Sequence, residues 1–364
     1  MDLISIIDRI GETPTAALFG LLTGVLFGVA AQRSRFCLRA ATVEFARGQM
    51  KDKVAVWLLT FSTAVVWVQA AQIFGLIDTT EARMMAVPGS CSGAVVGGLI
   101  FGAGMVLARG SSGRLLVLAA TGNLRSVVSG LIFAVVAQMS LTGCLATLRD
   151  TIAAMWITEG GRNLDLLSAL HLPDGSGLVF GLLITLLALE LSRRNQIGWQ
   201  RLVFASGLGF AVAFGWALTY ALSLVSFDPV QIESATFTGS STNTLMFCLD
   251  RSSVLEFDIG LIPGVVIGSF LAALVTRELK FQGFDGPTPM RNAMIGAALM
   301  GDAGRWMCNR RGCDGRFDLC WHCMLCWHCM VSALFHVDWR GRHGLRHAQP
   351  RCACNGLIVN QVKS

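Results

Sequence analysis

An all-α, polytopic membrane protein is the fold class this sequence predicts, and three observations carry that reading. Of 364 residues, 53% are hydrophobic and only 14% are charged, against the roughly 25% charged residues of a soluble domain. The mean hydropathy is +0.59. Apolar runs long enough to cross a bilayer recur along the chain, and the basic residues gather in short stretches between them. A bundle of roughly eight to ten segments, at about 20 residues per crossing, leaves no room for a sizeable soluble domain. The formal net charge of +6 is then a topology signal rather than a sign of nucleic-acid binding, because Lys and Arg accumulate in the cytoplasmic loops of membrane proteins. The expected partner is the lipid bilayer.

The elements follow in order. The opening MDLISIIDRIGE carries Asp2, Asp8 and Glu12 and has no basic stretch before an apolar core, so an uncleaved first span is expected. Residues 15–31 form that span, with Gly20, Gly24 and Gly28 four residues apart, a small-residue stripe that lets another helix approach closely. Arg33, Arg35, Arg39, Arg47, Lys51 and Lys53 then share one short loop, which predicts a cytoplasmic loop and an outward N-terminus. Residues 54–76 return outward. Residues 127–148 exit again, and 150–177 lie outside with room for a short interfacial helix. Residues 178–191 enter toward Arg193, Arg194 and Arg201. Residues 202–224 leave, 226–258 form a long acidic outer segment, and 259–275 come back to Arg277, Lys280 and Arg291.

Between the second and third clear spans lies the stretch on which the reading turns, residues 97–126, GGLIFGAGMVLARGSSGRLLVLAATGNLRS. The apolar run 93–108 falls short of the ~20 residues a plain crossing needs. Arg109, Gly110, Ser111, Ser112, Gly113 and Arg114 interrupt it before a second short run, 115–120. Polar backbone at membrane depth is tolerated only inside protein or along a wet cavity, so short helices meeting at such a break predict a solute path. Charge bias favours an odd number of crossings here. Gly97-Gly98-Leu99-Ile100-Phe101-Gly102 also matches Gly296-Ala297-Ala298-Leu299-Met300-Gly301, with glycines five apart in both. Paired broken segments in two halves are the sequence pointer to a transporter's binding site.

The runs GVLFGVAAQRSRFCLRAA, GLIFGAGMVLARGSSGRLLVLAATGNLRS, IESATFTG and GLIPGVVIGSFLAALVTRELKFQGF, together with RNAMIGAALMG, resemble the YeeE/YedE family of bacterial membrane proteins, which take up thiosulfate or related sulfur compounds. The resemblance spans residues 17–301. It implies a multi-pass importer of the cell inner membrane, with pseudo-symmetric halves (15–148 and 178–301), short helices dipping in from both faces, and cysteines lining a narrow path. The implied substrate is a small sulfur-containing anion, with a cytoplasmic sulfur-carrier protein as a candidate partner. Weak S–H donors suit a soft anion that must also be released. Cys37 matches the family's Arg-Ser-x-Phe-Cys segment. Ser111 stands where the family usually has Gly-Cys, keeping a hydroxyl in place of a thiol. Cys248 is the second-half candidate, and Gly102, Gly104 and Gly110 shape the broken helix. Arg109 and Arg114 are read as mouth residues. Asn123 and Arg125, with Arg277 and Glu278, are expected to anchor the cytoplasmic boundary. Cys91 and Cys144 read as packing residues. The second half lacks an Arg-Ser-x-Phe-Cys counterpart, its nearest stretch being 215–219. No acid/base pair, activated nucleophile or nucleotide loop is present in the membrane body, so neither catalysis nor a cofactor is expected.

After Gly301 the composition changes: eight of 12 cysteines, five of 6 histidines and four of 9 tryptophans fall in residues 302–364. Cys320, Cys323, Cys326 and Cys329 are evenly spaced with His322 and His328 between them, the rival reading of a metal or iron–sulfur redox protein. The genetic code offers another account. Trp306-Met307-Cys308 is encoded TGG ATG TGY, and one base along this reads Gly-Cys followed by Ala or Val. From Asp302 the shifted frame permits Met-Leu-Ala-Gly-Gly-Cys-Ala-Ile-Gly, which the family resemblance implies at this place. The expectation is therefore a transporter domain over 1–301 and a frameshifted reading thereafter.

Overall fold

The computed structural model describes residues 3–78, 89–157, 173, 175–226, 230–250, 253–284 and 286–306, with the side chains of 3–6 left aside. The Cys/His tract and most of the tail lie outside them. Thirteen helices occur among the described residues: α1 (Leu3–Ile10), α2 (Glu12–Ser34), α3 (Leu38–Ala46), α4 (Asp52–Ile73), α5 (Cys91–Ala108), α6 (Ser112–Ala120), α7 (Leu124–Thr142), α8 (Ala146–Ala153), α9 (Ser176–Arg194), α10 (Trp199–Ser223), α11 (Thr238–Leu249), α12 (Phe257–Val275) and α13 (Pro287–Trp306). No strand accompanies them in these residues. Seven segments are long and apolar enough to cross a membrane, α5 and α6 counting as one. Leu183, Leu186 and Leu187 of α9, and Ile267, Phe270 and Leu271 of α12, are exposed. That much apolar surface belongs against lipid rather than water. The protein is an all-α, multi-pass membrane protein.

The predicted alternation of ends is visible in the contacts. At one end gather the C-termini of α2, α6, α9 and α12 and the starts of α4, α7 and α10. Arg35 pairs with Glu278 at 2.9 Å. Asn195 Nδ2 donates to the Met50 carbonyl at 3.0 Å, and Arg201 lies 3.5 Å from Asp52. The Lys280 amide donates to the Thr121 carbonyl at 3.3 Å. At the opposite end Ser226 donates to Glu12, the Cys91 amide donates to the Trp156 carbonyl at 2.9 Å, and Ser90 Oγ donates to the Ala153 carbonyl at 2.8 Å. Ser90 also caps α5, accepting from the Gly93 amide at 2.9 Å.

Glycine seams hold the bundle. Gly20, Gly24 and Gly28 of α2 face α12, whose Gly260, Gly264 and Gly268 face α2 in return, and the pairing climbs in the same direction along both helices. α2 and α12 are therefore parallel neighbours with backbone against backbone. A Cβ on Gly24 would sit 2.8 Å from the Val265 amide, and one on Gly28 would sit 2.9 Å from the Ser269 amide. Ser269 Oγ adds a hydrogen bond to the Gly28 carbonyl at 3.2 Å. In lipid, where apolar burial no longer drives association, this close dispersion contact is what joins helices. A second seam runs the other way. Gly104 of α5 and Gly296 of α13 each leave no room for a Cβ because of the other's carbonyl, at 2.7 and 2.6 Å, and these two helices are antiparallel.

One expected element is different. Residues 226–258 are not an outer loop throughout. The stretch from Ile232 to Phe237 is buried and runs into the bundle. Ser234 Oγ donates to the carbonyl of Val212, halfway along α10, at 2.5 Å. The Phe237 ring lies 5.0 Å from that of Phe27 in α2. α11 then leads back toward the opposite end, its first turn tied to the start of α12 by Ser240, which donates to Asp258.

Candidate functional site

The site is built on the break between α5 and α6. α5 ends at Ala108, beside Gly296 and well short of the basic end. Arg109 then takes the left-handed conformation at φ 58°, ending the helix as glycine usually does. Gly110 does not carry that turn: its φ is ordinary, and a Cβ there would meet only loose contacts, the nearest at 3.5 Å. Ser111, 8% exposed, is the N-cap of α6, yet its hydroxyl caps no amide. α6 is nine residues long, or about 13 Å at 1.5 Å per residue, and closes at Thr121 against Lys280. The two pieces together make one interrupted crossing.

α11 meets this break from the other side. Phe237 is its N-cap residue, and a Cβ on Gly113 of α6 would lie 3.1 Å from the Phe237 ring. The N-termini of two short helices thus converge at mid-depth, each without a side-chain cap. Helix N-termini present unpaired amides and partial positive charge, and together they favour an anion.

Cys37 lies on the basic side of this junction. It is the extended N-cap of α3 and half-buried. Arg39 and Arg114 both fall within electrostatic reach of it. Burial, and then the like charges of Arg109, Arg125 and Arg47, lower the pKa of the Arg39 guanidinium from its usual value. Glu278 sits at the edge. It accepts from Arg35 and from Gln32 Nε2, each at 2.9 Å, and the Arg35 hydrogen bond in particular holds its pKa below the ordinary carboxylate value.

The structure brings some predicted residues together and not others. Cys37 and the Ser111 turn share the neighbourhood of Arg114. Gly102 and Gly104 are buried in α5, where Gly104 serves the α5–α13 crossing rather than the break itself. Cys248 is exposed near the far end of α11, about 15 Å of helix beyond the junction at 1.5 Å per residue, so it does not join Cys37. Cys144 is exposed rather than packed. The boundary anchor is rearranged: Asn123 Nδ2 donates to Gln282 at 2.6 Å, Glu278 goes to Arg35 and Gln32, and Arg125 forms no ion pair among the described residues. The stretch 215–219 lies inside α10, and the residue at the N-cap of the second half's short helix is Phe237, in the αR region where Cys37 is extended. Sequence reasoning missed Phe237 and Gly113. The signal was present in IESATFTG, whose Thr-Gly precedes a helical run, but nothing local marks that segment as buried.

With an interrupted crossing, a re-entrant short helix and a thiol beside their junction in place, comparison with known proteins is decisive. The profile described as sulphur transport matches residues 33–314. The chain belongs to that family. Two curated relatives carry the name thiosulfate transporter TsuA. One, from Spirochaeta thermophila, is 26% identical over 302 residues, covering 78% of this chain and 85% of the relative. The other, from Escherichia coli K12, is 25% identical over 305 residues, covering 78% and 82%. The family match includes the whole α5–α6 break, Cys37 and α11, and stops before the Cys/His tract.

Proposed function

We propose that this protein carries thiosulfate, or a closely related sulfur anion, across the bacterial inner membrane into the cytoplasm without altering it chemically. Family membership supports sulphur transport, and the names of both relatives point to thiosulfate. The observation that carries the reading to particular residues is the meeting of α6 and α11 at Gly113 and Phe237, beside Ser111 and Cys37. The path runs through this junction. Uncapped amides and weak S–H and O–H donors take over part of the anion's hydration, while the aromatic rings of Phe27 and Phe237 keep the opening narrow. On this reading neutral donors meet the anion at the narrowing, with Arg109 and Arg114 at its mouth, which keeps binding weak enough for release. Cys248 lies at the outer approach. A cytoplasmic sulfur-carrier protein would receive the anion at the basic end.

The halves at 15–148 and 178–301 act as a repeat of opposite orientation, in which α2 matches α10, α3 matches α11, α4 matches α12 and α5 matches α13. The reciprocal Gly104–Gly296 crossing supports this. Counterparts of α6 and α7 would fall after Trp306, outside the described residues. The tail 302–364 is read as a shifted frame; the last helix runs on to Trp306 and the family match to residue 314, so on this reading the shift falls no earlier than that helix's final turn.

Uptake of radiolabelled thiosulfate tests this in cells whose only candidate importer is this gene, as written and with the frame restored after Gly301. Uptake above the empty vector, rising with the restored frame and lowered several-fold in Cys37→Ala at equal membrane abundance, is the expected result. Absence of uptake from both forms while the protein is present in the membrane would sink the reading.

A further inference from the structure

Beneath the junction, on the basic side, lie four arginines from four separate elements: Arg39 on α3, Arg109 after α5, Arg114 on α6 and Arg125 on α7. None forms an ion pair among the described residues. Arg125 is only 8% exposed, and its Nε and Nη1 are both buried with no hydrogen-bond partner. Arg39 Nε and Arg114 Nη1 are in the same condition. Arg39 lies within electrostatic reach of Arg109 and Arg125, whereas Arg114 faces Arg35 and Glu278. The nearest carboxylates are committed elsewhere. Glu278 is held by Arg35 and Gln32, and Glu44 accepts from the Lys53 and Val54 amides at 2.9 and 3.2 Å. Buried N–H donors on a charged group are costly to leave unmade, and several guanidinium groups brought together without counter-charge repel one another. A chain that brings Arg39, Arg109 and Arg125 together from three elements gains only if something anionic sits among them. Guanidinium forks recognise planar pairs of oxygen atoms, and a tetrahedral oxyanion presents such pairs on every edge.

We infer that Arg39 and Arg125, with Arg109 at the rim, form a binding site for a tetrahedral sulfur dianion on the basic side of the junction. It is separate from the thiol- and hydroxyl-lined narrowing. Its recognition is through oxygen, so sulfate, which lacks the terminal sulfur of thiosulfate, binds here as well. Its role as a receiving site for transported anion rests on the transport reading above, whereas the binding itself does not. Sulfate held here from the cytoplasmic side would compete with arriving thiosulfate and slow further entry.

The test uses the purified full-length chain in detergent, titrated with sodium sulfate or sodium thiosulfate against sodium chloride at matched ionic strength, and read by thermal shift and calorimetry. Both dianions are expected to stabilise the protein and chloride is not. Arg125→Gln and Arg39→Gln are expected to weaken sulfate binding at least tenfold while leaving the ligand-free melting temperature unchanged or raised, because each removes an uncompensated charge. Arg125→Lys, which keeps the charge and loses the fork, should fall between. Cys37→Ala should bind sulfate like the wild type even though its uptake is lowered, so failure of the transport reading and failure of this site are separable. Equal responses to sulfate and chloride in the wild type would overturn the inference. So would undiminished sulfate affinity in both glutamine variants.

Discussion

A thiol at position 37 and a hydroxyl at position 111 are both neutral donors, and replacing either removes a contact of the size of one ordinary hydrogen bond, about 0.5–1.5 kcal/mol. Cys37→Ala should therefore lower thiosulfate uptake several-fold, by ~10-fold at the upper end, with Cys37→Ser retaining part of it. Ser111→Cys should transport at least as well as the wild type and Ser111→Val clearly worse, both read as initial uptake rates at equal abundance. Arg109 makes a different prediction. Its left-handed backbone costs a non-glycine residue roughly 1–2 kcal/mol, offset in part by its positive charge at the end of α5, about 0.3–1 kcal/mol. Arg109→Gly is expected to raise the melting temperature slightly. At the basic edge, the Glu278 carboxylate has its pKa lowered by Arg35, so its clamp between α2 and α12 is fully present above its ordinary value of 4.5 and fades as pH falls through the lowered one. Glu278→Gln should flatten that acid limb of the stability profile, and a profile unchanged by the substitution would remove Glu278 from this role.

At the scale of the element, the two glycine faces of α2 and α12 set the strongest expectation. A side chain at Gly24 or Gly264 would run into backbone that cannot rotate away, so Gly24→Val or Gly264→Val should destabilise by at least the 1–3 kcal/mol of ordinary overpacking, seen as a large drop in melting temperature. Gly130 of α7 has nothing within 4 Å of its missing Cβ, and Gly130→Ala should be neutral or gain up to about 1 kcal/mol of helix propensity. The α2 stripe was legible in the sequence as a four-residue spacing, and so was the α5–α6 interruption, because Arg109 to Arg114 is too polar for lipid. The re-entry of Ile232 to Phe237 was not. That segment is short, mixed in polarity and without helical period, and its burial comes wholly from tertiary contacts with Val212, Thr219 and Phe27. The partner of Arg35 was equally hidden, because the Arg35–Glu278 pair joins residues 243 positions apart.

For the whole molecule, sidedness is the property that loop charge predicts and that chemistry can check. In variants retaining a single cysteine, Cys144 or Cys248 should react with a membrane-impermeant maleimide in intact cells. A cysteine introduced at Arg47 should react only after the membrane is opened. The reverse pattern would invert the whole arrangement. The meshed backbones of α2 and α12 bear on movement as well. Two helices joined by interlocking notches four residues apart cannot glide past one another by small steps, since any slip short of a full notch drives carbonyl into carbon. That pair is the stationary spine of the protein. On the proposed path, opening and closing would then fall to the nine residues of α6 and the twelve of α11, small hinged flaps in place of tilting halves.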